Sequence, residues 1–296
     1  MLENDTKKAC VVGFPIKHSK SPSLHNYWVK QYNLKAHYVA ESISPDNLSS
    51  FLKDVRVGAV PFLGGNATIP HKEQLLAQAD QADETATALG AANTFWIDKG
   101  LLHVTNTDVY GFLANLDDGA AGWDKAKSIA ANKAIVLGAG GAARAIIFGL
   151  IQRGFKTIIL ANRTVSRAQA LADHFLDAAR SNACIIIPMS PADAEPHQTD
   201  TDILINTTSL GMVGQAELDF PVDQLPDSSV VTDIVYTPLE TGLLKAASAR
   251  GLKTVDGLGM LLHQAVPGFE KWFGVRPKVT DELRQYILSN DNTADR

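Results

Sequence analysis

Cysteine is scarce: 2 in 296 residues. Neither stands in a C-x-x-C or histidine-spaced pattern, which argues against a zinc site and against a disulfide framework. Cys10 and Cys184 lie in apolar, strand-like runs and are expected as buried thiols in a reducing cytosol. Long hydrophobic runs are missing too, and nothing reaches the roughly 18 residues of a membrane span. The opening MLENDTKKACVVGFPIK sets acids and lysines ahead of a short apolar run and lacks the apolar centre of a secretory signal, so a cytoplasmic protein is expected. Nor is there a large excess of either charge. Lys+Arg 27 against Asp+Glu 32 leaves a net charge of -5, which draws the chain to neither nucleic acid nor anionic membrane, so any phosphate site must be local. Repeats and low-complexity tracts are absent. What remains is an ordinary globular composition, 45% hydrophobic and 20% charged, in a chain long enough for two domains.

Short apolar runs alternate with amphipathic helices from the first residues, which indicates an α/β architecture. The organising stretch is AIVLGAGGAARAIIFGL, from Ala134 to Leu150. An apolar strand stops at Gly138, Ala139, Gly140, Gly141 and Ala142, and a helix resumes. The spacing G-x-G-x-x-A is a form of the dinucleotide fingerprint, in which glycines let backbone N–H groups approach a pyrophosphate at a helix N-terminus. A plain strand-to-helix glycine turn would look similar, but a second strand, KTIIL, completes a β-α-β unit. That strand ends in Asn162, Arg163 and Thr164, where an NAD site would place an acid for the ribose hydroxyls. Arg163 and Arg167 flank Thr164, which occupies an N-cap position. Two guanidiniums over a helix start suit a dianionic phosphate, which favours the 2'-phosphate of NADP over NAD; the competing reading is two solvated arginines on a surface helix.

The first half carries a second set of polar strand ends. Ser19 and Ser21 follow the strand Ala9 to Phe14, with Ser21 and Pro22 read as the N-cap and first residue of a helix. Hydroxyls there can hold a carboxylate, or Ser21 can simply cap its own helix. NATIPHKE repeats the design, with Thr68 at a strand end and Lys72 in a first helical turn, where its charge opposes the helix dipole. That cost invites a role beyond packing, although a solvated lysine is the plainer alternative. Asp108 is either a helix cap or a carboxylate held at a cleft edge. Residues 117–132 are expected as a surface excursion, Ala183 to Ile187 as a strand, and Pro188 to Thr201 as a polar loop with a short turn.

PIKHSKSPSLH, NATIPHKE, GAANT, NTD followed by G-F, GAGGAAR, NRTVSRA, INTTSLGM and DGLGMLLHQA, in that order from Gly13 to Gln264, together resemble the shikimate dehydrogenase family. The resemblance implies an N-terminal α/β substrate-binding domain, residues 1–108 with 258–296, and a C-terminal Rossmann NADP-binding domain, residues 109–257, the last helices returning to the first domain. It implies reversible NADPH-dependent reduction of 3-dehydroshikimate to shikimate, in aromatic amino acid (chorismate) biosynthesis. Lys72 and Asp108 match the catalytic pair, Ser19 and Ser21 the carboxylate contacts, and Thr68, Asn93 and Gln264 the ring-hydroxyl contacts. Tyr236 matches a further substrate contact, with Ile234 and Gly257 on the nicotinamide side; Ile234 replaces a frequent methionine. His71 stands where an aromatic is common, but neighbours on a helix point about 100° apart, which keeps it from sharing the role of Lys72. The implied partner is a small molecule, with no nucleic acid, membrane or metal, in a monomer or homodimer. The alternatives are a relative acting on quinate or with either cofactor, a non-catalytic NADPH-binding module, and a methyltransferase; the last would be expected to carry an acid where Asn162 and Arg163 stand.

Overall fold

Strand-forming runs and capped helices alternate along the whole chain, and in the computed structural model, which describes residues 6–17, 19–125 and 132–291, they build two sheets. The first contains β1 (Lys7–Gly13), β2 (Ala36–Ser42), β3 (Phe62–Ala67), β4 (Gln81–Ala82), β5 (Thr94–Asp98) and β6 (Leu101–Thr105), in the order β2-β1-β3-β5-β6-β4. Between them run α1 (Ser21–Gln31), α2 (Leu48–Arg56), α3 (Lys72–Ala77) and α4 (Glu84–Leu89). β1 pairs in parallel with β2 and β3, whereas β5 runs antiparallel to both β3 and β6. The β5–β6 hairpin turns on Lys99 (φ 51°) and Gly100 (φ 78°), the two positive φ values that a tight two-residue turn requires. One consequence decides where the chemistry can gather. The carboxyl ends of β1, β3 and β6 and the amino end of β5 share one edge of the sheet.

α5 (Asp108–Gly119) leads into β7 (Lys133–Leu137), α6 (Gly141–Gln152), β8 (Thr157–Ala161), α7 (Val165–His174), α8 (Leu176–Ser181) and β9 (Ile185–Met189). Then come α9 (Pro191–Ala194), β10 (Ile203–Asn206), β11 (Val230–Asp233), α10 (Gly242–Ala249) and β12 (Lys253–Val255), with α11 (Leu258–Phe273) and α12 (Asp281–Asp291) last. The second sheet is parallel throughout, in the order β12-β11-β10-β7-β8-β9. Every residue of β7 is buried, as expected of a central strand covered on both faces. The strand order reverses between β7 and β10, the point at which doubly wound sheets open a crevice for a nucleotide.

The chain divides into two compact units, Met1–Asp108 with Leu262–Arg296, and Val109–Leu261. Cys10, Val12, Leu48, Leu52, Leu75 and Phe95 belong to the core of the first, and Ile135, Ile159, Leu204, Val231 and Leu243 to that of the second. The chain's last segments complete the first unit. Trp272 Nε1 donates to the Phe95 carbonyl at 2.9 Å, and Trp28 Nε1 donates to that of Lys278 at 3.1 Å. Both cysteines are buried thiols, and burial pushes Cys184 up to about 11.

Several boundaries differ from expectation. Lys20, not Ser21, is the N-cap of α1, and Pro22 falls one place later than expected; the bond there is from the Ser21 N–H to Ser19 Oγ at 3.3 Å. β9 starts at Ile185 because Ala183 takes a positive φ of 51°, which ends α8 and delays the strand. Of the loop expected from Pro188, the first two residues instead continue β9 to Met189, and the expected short turn is a four-residue α9, capped by Ser190, followed by a 3-10 turn at Glu195–Asp200. The excursion is not wholly on the surface. Trp123 is 1% exposed, packed on Phe112 and Phe155, while Arg153 binds Asp117 and Asp124 beside it. Residues 126–131 of that segment lie outside the described residues, as does His18.

His25 sits among Tyr38, Trp28, Phe269 and Trp272, stacked on Tyr38 with ring centroids 4.1 Å apart. Neither ring nitrogen finds a hydrogen-bond partner among the described residues. Burial therefore pushes the imidazole down from 6.5 to about 3, against a smaller upward pull from the Asn66 side chain. The unfolded chain takes up this proton below pH 6.5 and the folded chain does not until about 3. Stability from this group is thus complete above pH 6.5 and is lost as pH falls, at about 1.4 kcal/mol per unit. Urea unfolding at a series of pH values should show that slope, and His25→Phe should remove it; an equal slope in the variant would discharge His25 from the effect.

Candidate active site

The shared edge of the first sheet collects the polar residues. Ser19 and Ser21 follow β1, Thr68 and Lys72 follow β3, Asn93 precedes β5, and Asp108 follows β6 and opens α5. Lys72 Nζ donates to Asp108 Oδ2 at 2.5 Å, with the two side chains 31% and 11% exposed. Asn93 Nδ2 donates to Asp108 Oδ1 at 2.8 Å, so each carboxylate oxygen has its own donor. The Asp108 N–H in turn donates to Asn106 Oδ1 at 3.0 Å, and the carboxylate stands in the first turn of α5, where the helix dipole favours a negative charge. Lys72 opens α3 and gains no such support from its helix. Asp108 supplies the compensating charge.

Asn93 is itself held. Its Oδ1 accepts from the Thr107 N–H at 2.8 Å, from Thr107 Oγ1 at 3.1 Å and from Thr94 Oγ1 at 2.9 Å. Thr68 is half-buried, its N–H donating to the Val12 carbonyl and its carbonyl accepting from the His71 N–H. His71 is fully buried and points elsewhere: its Nε2 lies 2.7 Å from the Ile43 carbonyl. Gln264 is half-buried on α11 in the first unit, whereas Tyr236 follows β11 in the second. Direct bonds therefore join Lys72, Asp108 and Asn93, and of the other expected substrate contacts Ser19, Ser21 and Thr68 follow strands that end at the same sheet edge.

The second unit holds a groove of about 660 Å³ at the strand-order reversal. Gly138, Ala139 and Gly140 line it with Asn162, Arg163, Arg167 and the Thr207–Leu210 turn. Gly138 must be glycine on two counts: its φ is +103°, and a Cβ there would lie 2.7 Å from Thr207 Oγ1. At Gly140 and Gly141 a Cβ would meet open space, so the start of α6 is unobstructed. Gly141 and Ala142 form the first turn of that helix rather than the groove wall, and Thr164 is the N-cap of α7 without a side-chain cap bond. Asn162 Nδ2 donates to the Thr164 carbonyl at 2.8 Å, which holds the turn that carries Arg163. Gly257 packs so closely on Ile234 that a Cβ would stand 2.3 Å from its carbonyl oxygen; neither residue lines the groove. The Thr207–Leu210 turn is fixed from beneath. Asn206 Oδ1 accepts from Thr208 N and Oγ1, while its Nδ2 donates to Asp233 Oδ1 at 3.0 Å. Burial pushes Asp233 upward against three hydrogen bonds, from Val235, Thr241 and Asn206, that pull it down.

The glycine cradle, the open helix start and two arginines at the second strand's end, with no acid at residues 162–164, fit a dinucleotide that carries an extra phosphate. Sequence reasoning missed Pro191 and the Gln215–Phe220 wall, which carry no motif and reach the groove only through the fold.

Residues 11–95 match the shikimate dehydrogenase substrate binding domain, residues 122–212 the shikimate / quinate 5-dehydrogenase model, and residues 257–281 the shikimate 5'-dehydrogenase C-terminal domain. A shikimate dehydrogenase (NADP(+)) of Azorhizobium caulinodans is 48% identical over 284 residues, covering 96% of each chain. The chain belongs to the shikimate dehydrogenase family. Among solved structures, shikimate 5-dehydrogenase from Thermus thermophilus in complex with NADP(H) and shikimate superposes with a TM-score of 0.80 at 32% identity, covering 96% of this chain and 99% of that one. Quinate dehydrogenase from Corynebacterium glutamicum in complex with NAD is equally alike, with a TM-score of 0.84 at 32% identity and the same coverage. One of these structures holds NADP(H) and the other NAD, and in this chain two arginines and no acid stand at the end of β8. Arg163→Ala with Arg167→Ala should weaken NADPH far more than NADH, since a charge-assisted bond is worth about 1.5 to 3 kcal/mol. Calorimetric titration of both nucleotides checks this, and an equal loss for the two would remove the arginines from phosphate recognition.

Proposed function

We propose that this chain is an oxidoreductase that reversibly reduces 3-dehydroshikimate to shikimate with NADPH, a step towards the aromatic amino acids. The observation that carries the reading is the Lys72–Asp108 contact of 2.5 Å, backed by Asn93 at a sheet edge lined with hydroxyls. The first unit is assigned the substrate and the second the cofactor. The nicotinamide, when bound, supplies or receives the hydride.

The chain's own task is the proton. A ketone being reduced gathers negative charge on its oxygen, and an alcohol being oxidised must lose a proton from the same atom. Lys72 Nζ has protons to give and a positive charge to offer. Asp108 holds that ammonium in place and accepts from the reacting hydroxyl. Ser19 and Ser21, at the start of α1, are assigned the substrate carboxylate, and Thr68, Asn93, Gln264 and Tyr236 its hydroxyls. Each ring hydroxyl needs a donor or acceptor once water is excluded, which suits these residue types. In the second unit, Gly138, Ala139, Gly140, Gly141 and Ala142 are assigned the pyrophosphate, and Asn162, Arg163, Thr164 and Arg167 the phosphorylated ribose. Ile234 and Gly257 are assigned the nicotinamide side. Two buried thiols and a small-molecule substrate accord with a cytoplasmic enzyme, monomeric or homodimeric, with no nucleic-acid partner.

Lys72→Ala should lower turnover of shikimate with NADP by about two to four orders of magnitude while leaving NADPH affinity unchanged, as loss of a general acid–base group does. Steady-state rates and nucleotide titrations on the same preparation test it; near-normal turnover would take Lys72 out of the mechanism.

A further inference from the structure

The bonds behind Asn93 continue into the core of the first unit, and their direction is fixed at two backbone groups. A backbone carbonyl only accepts, so the Asn66 side-chain atom 3.3 Å from the Asn93 carbonyl is its Nδ2. That leaves Asn66 Oδ1 to accept from the Tyr38 hydroxyl at 2.7 Å. A backbone N–H only donates, so the Asn93 atom 2.8 Å from the Thr107 N–H is Oδ1. Between these two amides stands the Thr94 hydroxyl, fully buried, 2.9 Å from Asn66 Nδ2 and 2.9 Å from Asn93 Oδ1. Asn66 can only give to it. Of the two oxygens left to take its single proton, Asn93 Oδ1 at 2.9 Å is nearer than Thr107 Oγ1 at 3.3 Å, and the Thr107 hydroxyl itself reaches Asn93 Oδ1 at 3.1 Å.

We propose that Thr94 is a positioning residue for the reaction: by accepting from Asn66 and donating to Asn93, it holds the Asn93 amide so that Nδ2 faces Asp108 Oδ1 and Asp108 Oδ2 is left for Lys72. The proposal rests on the assignment of Lys72 and Asp108 as the proton-handling pair. Strand register supports it, since Thr94 is paired with Asn66 across β3 and with Thr105 across β6, which seats the hydroxyl between both neighbours of the catalytic edge. Thr107 Oγ1, 3.3 Å away, is a second hydroxyl on the same Asn93 oxygen. Loss of Thr94 thus loosens the amide without freeing it.

Thr94→Val keeps the shape and removes the hydroxyl; Thr94→Ser keeps the hydroxyl. With thermal melts verifying folded protein at the assay temperature, Thr94→Val should lower kcat for shikimate oxidation about tenfold, the worth of about one hydrogen bond, at unchanged KM for NADP. Thr94→Ser should stay within about twofold of wild type, since the bond is retained. In an Asn93→Ala background, Thr94→Val should cost nothing further, because its effect passes through Asn93. Wild-type turnover in Thr94→Val, or the same tenfold loss with Asn93 already removed, would overturn the proposal. Lys72→Ala run beside them separates the two levels: if it is nearly as active as wild type the proton-pair assignment fails, and if it is inactive while Thr94→Val is normal only the positioning role fails.

Discussion

The contact between the Lys72 ammonium and the Asp108 carboxylate is the constraint around which the first unit is arranged. Lys72 opens a helix whose dipole repels it, and Asp108 is 11% exposed, so neither charge is comfortable alone. Removing one partner of such a pair leaves the other poorly solvated, which is why its supports are so complete. One oxygen of Asp108 takes the lysine, the other takes Asn93, and the helix start takes the residual charge. The elements follow from this. Parallel β1 and β3 deliver hydroxyls and the lysine, while the antiparallel β5–β6 hairpin brings Asn93 and Asp108 to the same edge.

The second unit solves a different electrostatic problem by backbone geometry. A pyrophosphate needs N–H groups and close approach, and Gly138, with φ of +103°, lets the chain turn from β7 into α6 against the Thr207 hydroxyl. Net charge does not help, since the chain carries -5. The local positive charge beside the groove is that of Arg163 and Arg167, both exposed, on a turn held by Asn162, and the proposed function gives them the extra phosphate. The buried Asn206–Asp233 pair underneath keeps the opposite wall from shifting.

The sequence announced what local rules govern. The glycine turn and the missing acid after β8 both lie within a few residues of their cause. Contacts decided by the whole fold were less visible. Trp123 lay in an apparent excursion yet is core, because Phe112 and Phe155 arrive from a preceding helix and from the turn after α6. Ser21 read as a cap, but the preceding residue takes that place. From the residues alone Lys72 and Asp108 were visible one at a time, each with a duller explanation, and the family resemblance paired them; the register of β3, β5 and β6 brings both to one sheet edge. Thr94 sat inside the GAANT motif, and its value depends on Asn66, far away in sequence.

The most direct test of the pair uses a single atom. In Asp108→Asn the side chain keeps its shape, but with its oxygen held by Asn93 its amide nitrogen faces Lys72, setting donor against donor. Purified wild type and variant, mixed with shikimate and NADP, are followed by the absorbance of reduced nicotinamide. The band should grow in the wild type and about two orders of magnitude more slowly in folded Asp108→Asn; growth at the same rate in both would contradict the role given to the Lys72–Asp108 contact.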